Sequence, residues 1–380
     1  MTRSFLDLAA GPVKQLAPYV PGKPLSELER EYGIRDSIKL ASNENPLGPG
    51  AKARAAIANA INDLGLYPDG NGFELKQALA RRHGCTMDRI TLGNGSNDLL
   101  VLLAEAFLTP EVEAVYSQYC FAIYPIAVQA TGATGRAAPA YPESHAMAHG
   151  MSLGHDLDAM RKLVNDNTRL VFVANPNNPT GTWVDTDALK QFIASLPSTT
   201  LAVVDEAYIE YAVNGSNTDA SKWIDEFPNL VVTRTFSKAY GLAGLRVGYA
   251  LSSAEVANVL NRVRQPFNVN SLALVAATAA LDDHEHLQKT AQLNAKGMKQ
   301  VLAGLKELNV RVYPSACNFV LVDCKRPAVE INEALLRQGV IVRPVHGYGL
   351  ATHLRITIGT EQENARMLSA LKHALTPLAP

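Results

Sequence analysis

Four short apolar runs set the limits on what this chain can fold into. Arg89-Ile90-Thr91-Leu92, Arg169-Leu170-Val171-Phe172-Val173-Ala174, Leu201-Ala202-Val203-Val204 and Asn229-Leu230-Val231-Val232-Thr233 have strand length and are rich in β-branched residues. Each ends in a polar or glycine-rich loop, and helical stretches lie between them. That alternation points to an α/β fold with a mostly parallel central sheet flanked by helices. In such sheets ligands bind outside the carboxyl ends of the strands. The loops that follow these runs are therefore where the chemistry should be sought.

The loop after the fourth run is the most informative. It reads Thr235-Phe236-Ser237-Lys238-Ala239-Tyr240-Gly241-Leu242-Ala243-Gly244-Leu245-Arg246. Ser237-Lys238 alone would suit a solvated loop. Here a hydroxyl precedes the lysine and an arginine follows eight residues later, both apt for a phosphate. An amine beside a phosphate site is what a pyridoxal phosphate enzyme requires: a nucleophile for the cofactor's aldehyde and an anchor for its tail.

The other strand ends fit the same ligand. The third run closes in Asp205-Glu206-Ala207-Tyr208, where Asp205 can pair with a protonated pyridine nitrogen and Tyr208 can donate to the ring's phenolic oxygen. An acid in this place also suits a metal ligand or a nucleotide-binding carboxylate. The chain has no glycine-rich loop ending in Gly-Lys-Ser/Thr, which the nucleotide reading requires. The second run leads into Asn175-Pro176-Asn177-Asn178-Pro179-Thr180-Gly181, a rigid turn that presents Asn178 as an amide donor. The first leads through Gly93-Asn94-Gly95-Ser96-Asn97 into a helix from about Asp98 to Phe107. Strand, glycine turn and helix N-terminus make an anion site from backbone N–H groups. A dinucleotide site would want a third glycine where Asp98 stands, so a nicotinamide cofactor is not expected.

With these motifs in view, the chain resembles the aspartate-aminotransferase-like (fold type I) pyridoxal phosphate enzymes. The likeness runs from Leu16-Ala17-Pro18-Tyr19-Val20-Pro21-Gly22-Lys23 to Leu354-Arg355-Ile356-Thr357-Ile358-Gly359-Thr360. The Tyr19 segment and Lys39-Leu40-Ala41-Ser42-Asn43-Glu44-Asn45-Pro46-Leu47-Gly48-Pro49 are similar to the branch whose substrate is a phosphorylated amino alcohol and whose co-substrate pair is glutamate/2-oxoglutarate. The resemblance implies that Lys238 is catalytic, carrying pyridoxal 5'-phosphate and moving the proton. It implies that Asp205 binds the ring nitrogen, that Tyr208 and Asn178 bind the phenolic oxygen, and that Ser237, Arg246, Gly95, Ser96 and Asn97 hold the phosphate. It assigns ring stacking to Phe121, with Tyr119 as the alternative in the segment Tyr119-Cys120-Phe121-Ala122-Ile123-Tyr124. Tyr67 is implied to reach the cofactor phosphate of a neighbouring subunit, which makes a homodimer with shared active sites the expected assembly. Arg355 is implied to fork a substrate carboxylate, Arg343 is a second cation for the phosphate ester, and Tyr19 and Asn43 are expected to close over the substrate.

The same fold also hosts aromatic or broad-range amino-acid aminotransferases, a decarboxylase for a phosphorylated amino acid, and regulatory domains that bind without catalysis. The intact Lys238, Asp205 and Arg355 argue against the last. Composition excludes more than it selects. At 380 residues the chain can bury a large core and is expected to hold two domains: an N-terminal arm over 1–35, a large cofactor-binding domain over 36–270, and a smaller α+β domain over 271–380. A net charge of −1 gives no reason to expect nucleic acid or an anionic membrane surface as a partner. No run of membrane-spanning length and no signal-peptide pattern are seen. Cys85, Cys120, Cys317 and Cys324 lack Cys-x-x-Cys pairing and suit a reducing cytoplasm. No metal site is expected, and His145, His149 and His155 read as part of a surface loop. Residues 134–156 are the expected flexible loop. A helical tract is expected over Ser271–Leu308, followed by strands at Arg311–Tyr313, Asn318–Val322, Val340–Arg343 and Leu354–Ile358.

Overall fold

The structure, a computed structural model, describes residues 4–19, 21–144, 151–212 and 218–376. Seven strands form the central sheet: β1 (Ile90–Gly93), β2 (Glu113–Ser117), β3 (Thr134–Ala138), β4 (Thr168–Ala174), β5 (Leu201–Asp205), β6 (Leu230–Thr235) and β7 (Gly248–Leu251). Their order is β1-β7-β6-β5-β4-β2-β3. All neighbours are parallel except around β7, which runs against both β1 and β6. Side chains alternate between the two faces, as the pleat dictates. Val171, Val173, Ala202, Val204, Leu230 and Val232 enter one core, while Leu170, Phe172, Val203 and Val231 enter the other. Helices Ser96–Phe107, Ile123–Thr131 and Ala254–Val263 cover the second face. Burying one such apolar side chain contributes about 1.5–3 kcal/mol, so a one-residue slip of any central strand would be prohibitive.

Register decides where the loops meet. Ala174 lies opposite Asp205, and Asp205 opposite Thr233, so the carboxyl ends of β4, β5 and β6 line up. Because two antiparallel pairings restore direction, β1 points the same way as β6, with Gly93 opposite Gly248 and Gly248 opposite Thr235. The four loops singled out by the sequence therefore open on one edge. Gly248 permits this: a Cβ there would lie 2.5 Å from Ser96 N and 2.8 Å from the Arg234 carbonyl.

A second, antiparallel sheet of four strands contains β8 (Arg311–Val312), β9 (Phe319–Asp323), β10 (Arg343–Pro344) and β11 (His353–Thr357), in the order β10-β11-β9-β8. Helices His284–Glu307, Ala328–Leu336 and Glu361–Leu375 pack its core, with Leu354, Ile356 and Ile358 turned inward. The last helix starts at a capping box between Thr360 and Glu363.

Several elements differ from expectation. The tract from Ser271 is two helices, Ser271–Leu281 and His284–Glu307, because Asp283 caps the second by accepting from His286 N. Helix Ser271–Leu281 packs into the core of the seven-stranded sheet through Ala273, Leu274, Ala276 and Ala277, so its side chains join the larger layer. The run Val340–Arg343 is split: Val340–Ile341 pairs in parallel with Ile38–Lys39, and Arg343 then turns to pair with Arg355. Thr134–Ala138, expected as loop, is the edge strand of the sheet. His155 is buried rather than exposed, its Nε2 3.0 Å from the Ala174 carbonyl; His145 and His149 lie outside the described residues.

Candidate active site

The aligned strand ends enclose a cavity of about 180 Å³ whose lining includes Ser96, Asn97, Asn178, Tyr208, Ser237 and Lys238. Phe121, Asp205 and Arg246 also face it. Nearly every residue expected at the cofactor thus lies round one space, although they come from five segments, each following a different strand.

Asp205 sits on the floor, 4 % exposed. Tyr124 Oη donates to its Oδ2 at 2.9 Å and Thr233 Oγ1 to its Oδ1 at 3.1 Å. Burial pushes this carboxyl up, and the two hydroxyls and the Ala207 amide oppose that push by stabilising the anion. Lys238 Nζ donates to the Ser42 carbonyl at 3.0 Å. Its pKa is brought down to about 8, first by burial and then by the Arg355 charge. A lysine so placed is neutral often enough near neutral pH to act as nucleophile and base.

At one end Gly95, at φ 82°, precedes helix Ser96–Phe107. The first N–H groups of a helix have no partner within it, and those of Ser96 and Asn97 lie at the cavity. A Cβ on Gly95 would come within 2.4 Å of Arg246 Nη2, so only glycine lets the guanidinium approach. Arg246 itself is held at φ 58°, a conformation uncommon for any residue but glycine, with its Nη1 3.2 Å from Ser237 Oγ. Backbone N–H groups, a hydroxyl and a guanidinium make a phosphate cradle.

At the other end Arg355, 8 % exposed, donates to Asn178 Oδ1 and to the Ala41 carbonyl. That fixes Asn178 with its Nδ2 free of this contact and available as a donor. Arg343 lies directly opposite Arg355 in the ladder, which puts both side chains on one face. Tyr19 lies beneath Arg343, whose Cζ is 5.7 Å from the ring centroid.

Three expected residues have other surroundings. Asn43, expected to close over the substrate, is 1 % exposed and commits both ends of its amide, to Tyr208 and to Thr357. Tyr119 packs beside Leu153, Tyr313 and Leu321 instead of lining the cavity, which leaves the aromatic wall to Phe121. Tyr67 is 83 % exposed and stacks on Phe267 at 4.7 Å, away from this cavity.

Sequence reasoning missed Tyr124, Thr233 and the hub formed by residues 41–45. The successive carbonyls of Ala41, Ser42 and Asn43 accept from Arg355, Lys238 and Asn318, and Asn45 Nδ2 donates to the Ala239 carbonyl. The spacing of Tyr124 from Phe121, one helical turn, was the only available signal for the first. Nothing in the sequence marks carbonyl acceptors.

The donor set fits pyridoxal phosphate: a carboxylate at the floor, a flat aromatic wall, an amine within the space and a cradle that a Cβ at position 95 would fill. The family model for class I and II aminotransferases matches residues 35–371. The chain belongs to this family, whose members are pyridoxal-phosphate-dependent transaminases of fold type I. Its relatives narrow the placement further. It is 56 % identical to histidinol-phosphate aminotransferase 2 of Pseudomonas aeruginosa, covering 98 % of each chain. It is 53 % identical to histidinol-phosphate aminotransferase 1 of Nitrosococcus oceani, again over 98 % of both. The crystal structure of histidinol-phosphate aminotransferase from Sinorhizobium meliloti in complex with pyridoxal-5'-phosphate aligns with a TM-score of 0.87 at 30 % identity, covering 97 % of each chain.

Proposed function

We propose that this chain transfers the amino group of histidinol phosphate to 2-oxoglutarate, giving imidazole-acetol phosphate and glutamate, a step of histidine biosynthesis. The observation that carries the substrate assignment is the pair Arg343 and Arg355, opposite each other on β10 and β11. One guanidinium suits a carboxylate, and a second suits the larger charge of a phosphate ester. Full-length relatives at about half identity bear the same name.

When bound, pyridoxal phosphate supplies an electron sink for the carbon that loses its proton. The chain supplies the rest. Lys238 would give the amine that holds the cofactor, and its Nζ, which lines the cavity, would take the proton from the substrate carbon. Its lowered pKa keeps it able to accept that proton. Asp205 would hold the ring nitrogen protonated. Tyr208 and Asn178 would donate to the phenolic oxygen, and Phe121 would cover the ring face. Ser96, Asn97, Ser237 and Arg246 would hold the tail.

We read the active form as a homodimer in the cytoplasm. Exposed Ile61, Leu64, Leu66 and Tyr67, with Phe267 stacked on the last, form an apolar stretch suited to a second copy, and Tyr67 would reach the partner's phosphate cradle. Free thiols fit a reducing compartment, and among the described residues no helix is long and apolar enough to cross a membrane. Light scattering tests the dimer.

The function is tested by mixing cofactor-loaded protein, without oxo acid, with histidinol phosphate, phenylalanine or threonine phosphate. Rapid loss of the yellow colour with histidinol phosphate, and release of one oxo product per chain, is expected. Faster conversion by phenylalanine would replace the assignment with an aromatic aminotransferase, and carbon dioxide from threonine phosphate would replace it with a decarboxylase.

A further inference from the structure

Hydrogen positions around Tyr208 can be assigned from the network. Asn43 N–H donates to Thr357 Oγ1 at 3.0 Å, so that hydroxyl is an acceptor here and its own hydrogen must go elsewhere. Asn43 Oδ1, an acceptor only, lies 3.0 Å away and takes it. The Asn43 amide is thereby fixed with Nδ2 on the other side, 2.9 Å from Tyr208 Oη, where it can only donate. A phenol has one hydrogen to give. With Asn43 giving to it, the hydrogen of Tyr208 is directed away from Asn43, and Tyr208 lines the cavity.

We propose that Thr357 and Asn43 are positioning residues that set the hydrogen-bond polarity of Tyr208, keeping its O–H aimed at an anionic oxygen on the bound cofactor. The relay crosses the molecule. Thr357 lies on β11, two residues after Arg355 and on the same face, whereas Tyr208 follows β5 of the central sheet. The strand that binds substrate is thus tied by two hydrogen bonds to a group that tunes the cofactor. Asn43 is held at φ 57° to make both bonds, a left-handed conformation that asparagine tolerates better than most residues. The charged and titratable groups facing Tyr208 are Arg355, Lys238, Asp205, Cys317, Tyr124 and Tyr211, and the substitutions below leave all six in place.

This inference rests on the cofactor reading, and its test separates the two. A donor on the ring oxygen stabilises the anion there, so the bound chromophore gives up its proton at lower pH. The absorbance of cofactor-loaded protein is titrated with pH for wild type, Thr357→Val, Asn43→Asp and Thr357→Ser. Thr357→Val frees the amide to turn over, and Asn43→Asp offers only acceptors, which capture the Tyr208 hydrogen. Both are expected to raise the midpoint by about one pH unit, the size of one ordinary hydrogen bond. Thr357→Ser keeps the hydroxyl and stays at the wild-type midpoint. Midpoints of the first two variants that match wild type, with colour retained, overturn the proposal; if Asn43→Asp does not fold, Thr357→Val alone decides. A wild-type protein that takes up no B6 compound overturns the cofactor reading instead.

Discussion

Tyr124 reaches from helix Ile123–Thr131 to Asp205 at the end of β5, donating to Oδ2 across 2.9 Å. The tyrosine is fully buried, stacked on Phe172 at 4.7 Å and set edge-on to Phe121. It therefore joins Asp205, the carboxylate proposed for the ring nitrogen, to Phe121, the aromatic proposed for the ring face. Tyr124→Phe leaves the packing in place and removes only the donor. A hydrogen bond to a charged group contributes about 1.5–3 kcal/mol, so turnover should fall roughly 10- to 100-fold with KM little changed. Steady-state kinetics check this; an unaltered turnover would mean that Thr233 and the Ala207 amide suffice to keep Asp205 ionised.

Under the proposed function, Arg355 and Arg343, opposite each other in the ladder, divide the substrate charges. Arg355 already spends two contacts on Asn178 and Ala41, which fix the fork for a planar carboxylate. Lysine cannot reproduce that geometry. Arg355→Lys should raise KM for 2-oxoglutarate by about 100-fold. Arg343→Gln should raise KM for histidinol phosphate by about 10-fold and leave 2-oxoglutarate nearly unaffected. Equal losses for both substrates would remove the argument for a dedicated phosphate cation.

His155 gives a pH dependence of stability with a definite sign. Burial drives its pKa down to about 4, below the value near 6.5 expected for the unfolded chain. The unfolded state therefore binds a proton first as pH falls. The contribution of this neutral ring to stability is complete above about pH 6.5 and is lost progressively toward pH 4, costing about 2 kcal/mol by pH 5. Urea unfolding at pH 7 and pH 5 measures it, and His155→Leu should flatten the difference.

Most of the cofactor site was legible because each part lies in a short segment following its own strand, as with Asn178, Asp205-Tyr208 and Ser237-Lys238-Arg246. Parallel strands bring such segments together without further information. What was not legible depends on contacts between distant segments. Tyr124 and Asp205 are 81 positions apart, and Asn43 and Thr357 are 314 apart; no periodicity links them. That the Ala41–Asn45 stretch is a crossroads of hydrogen bonds to Arg355, Lys238, Asn318 and Tyr208 is equally unmarked in the sequence. The strand Gly248–Leu251 went unread because it is four residues long and directly follows the loop of Arg246. The split at Val342 was hidden for a different reason: an unbroken apolar run carries no mark of a change of partner.

Lys238 and Asp205, both at the same cavity, are proposed to close on one cofactor ring, with the lysine bonded to it. Reducing the yellow protein with borohydride, digesting it and locating the pyridoxyl mass by peptide sequencing tests this most directly. One modification per chain is expected, on Lys238, and none in Lys238→Ala. A label on Lys39 or any other lysine, or no label on a protein that is demonstrably coloured, would contradict it.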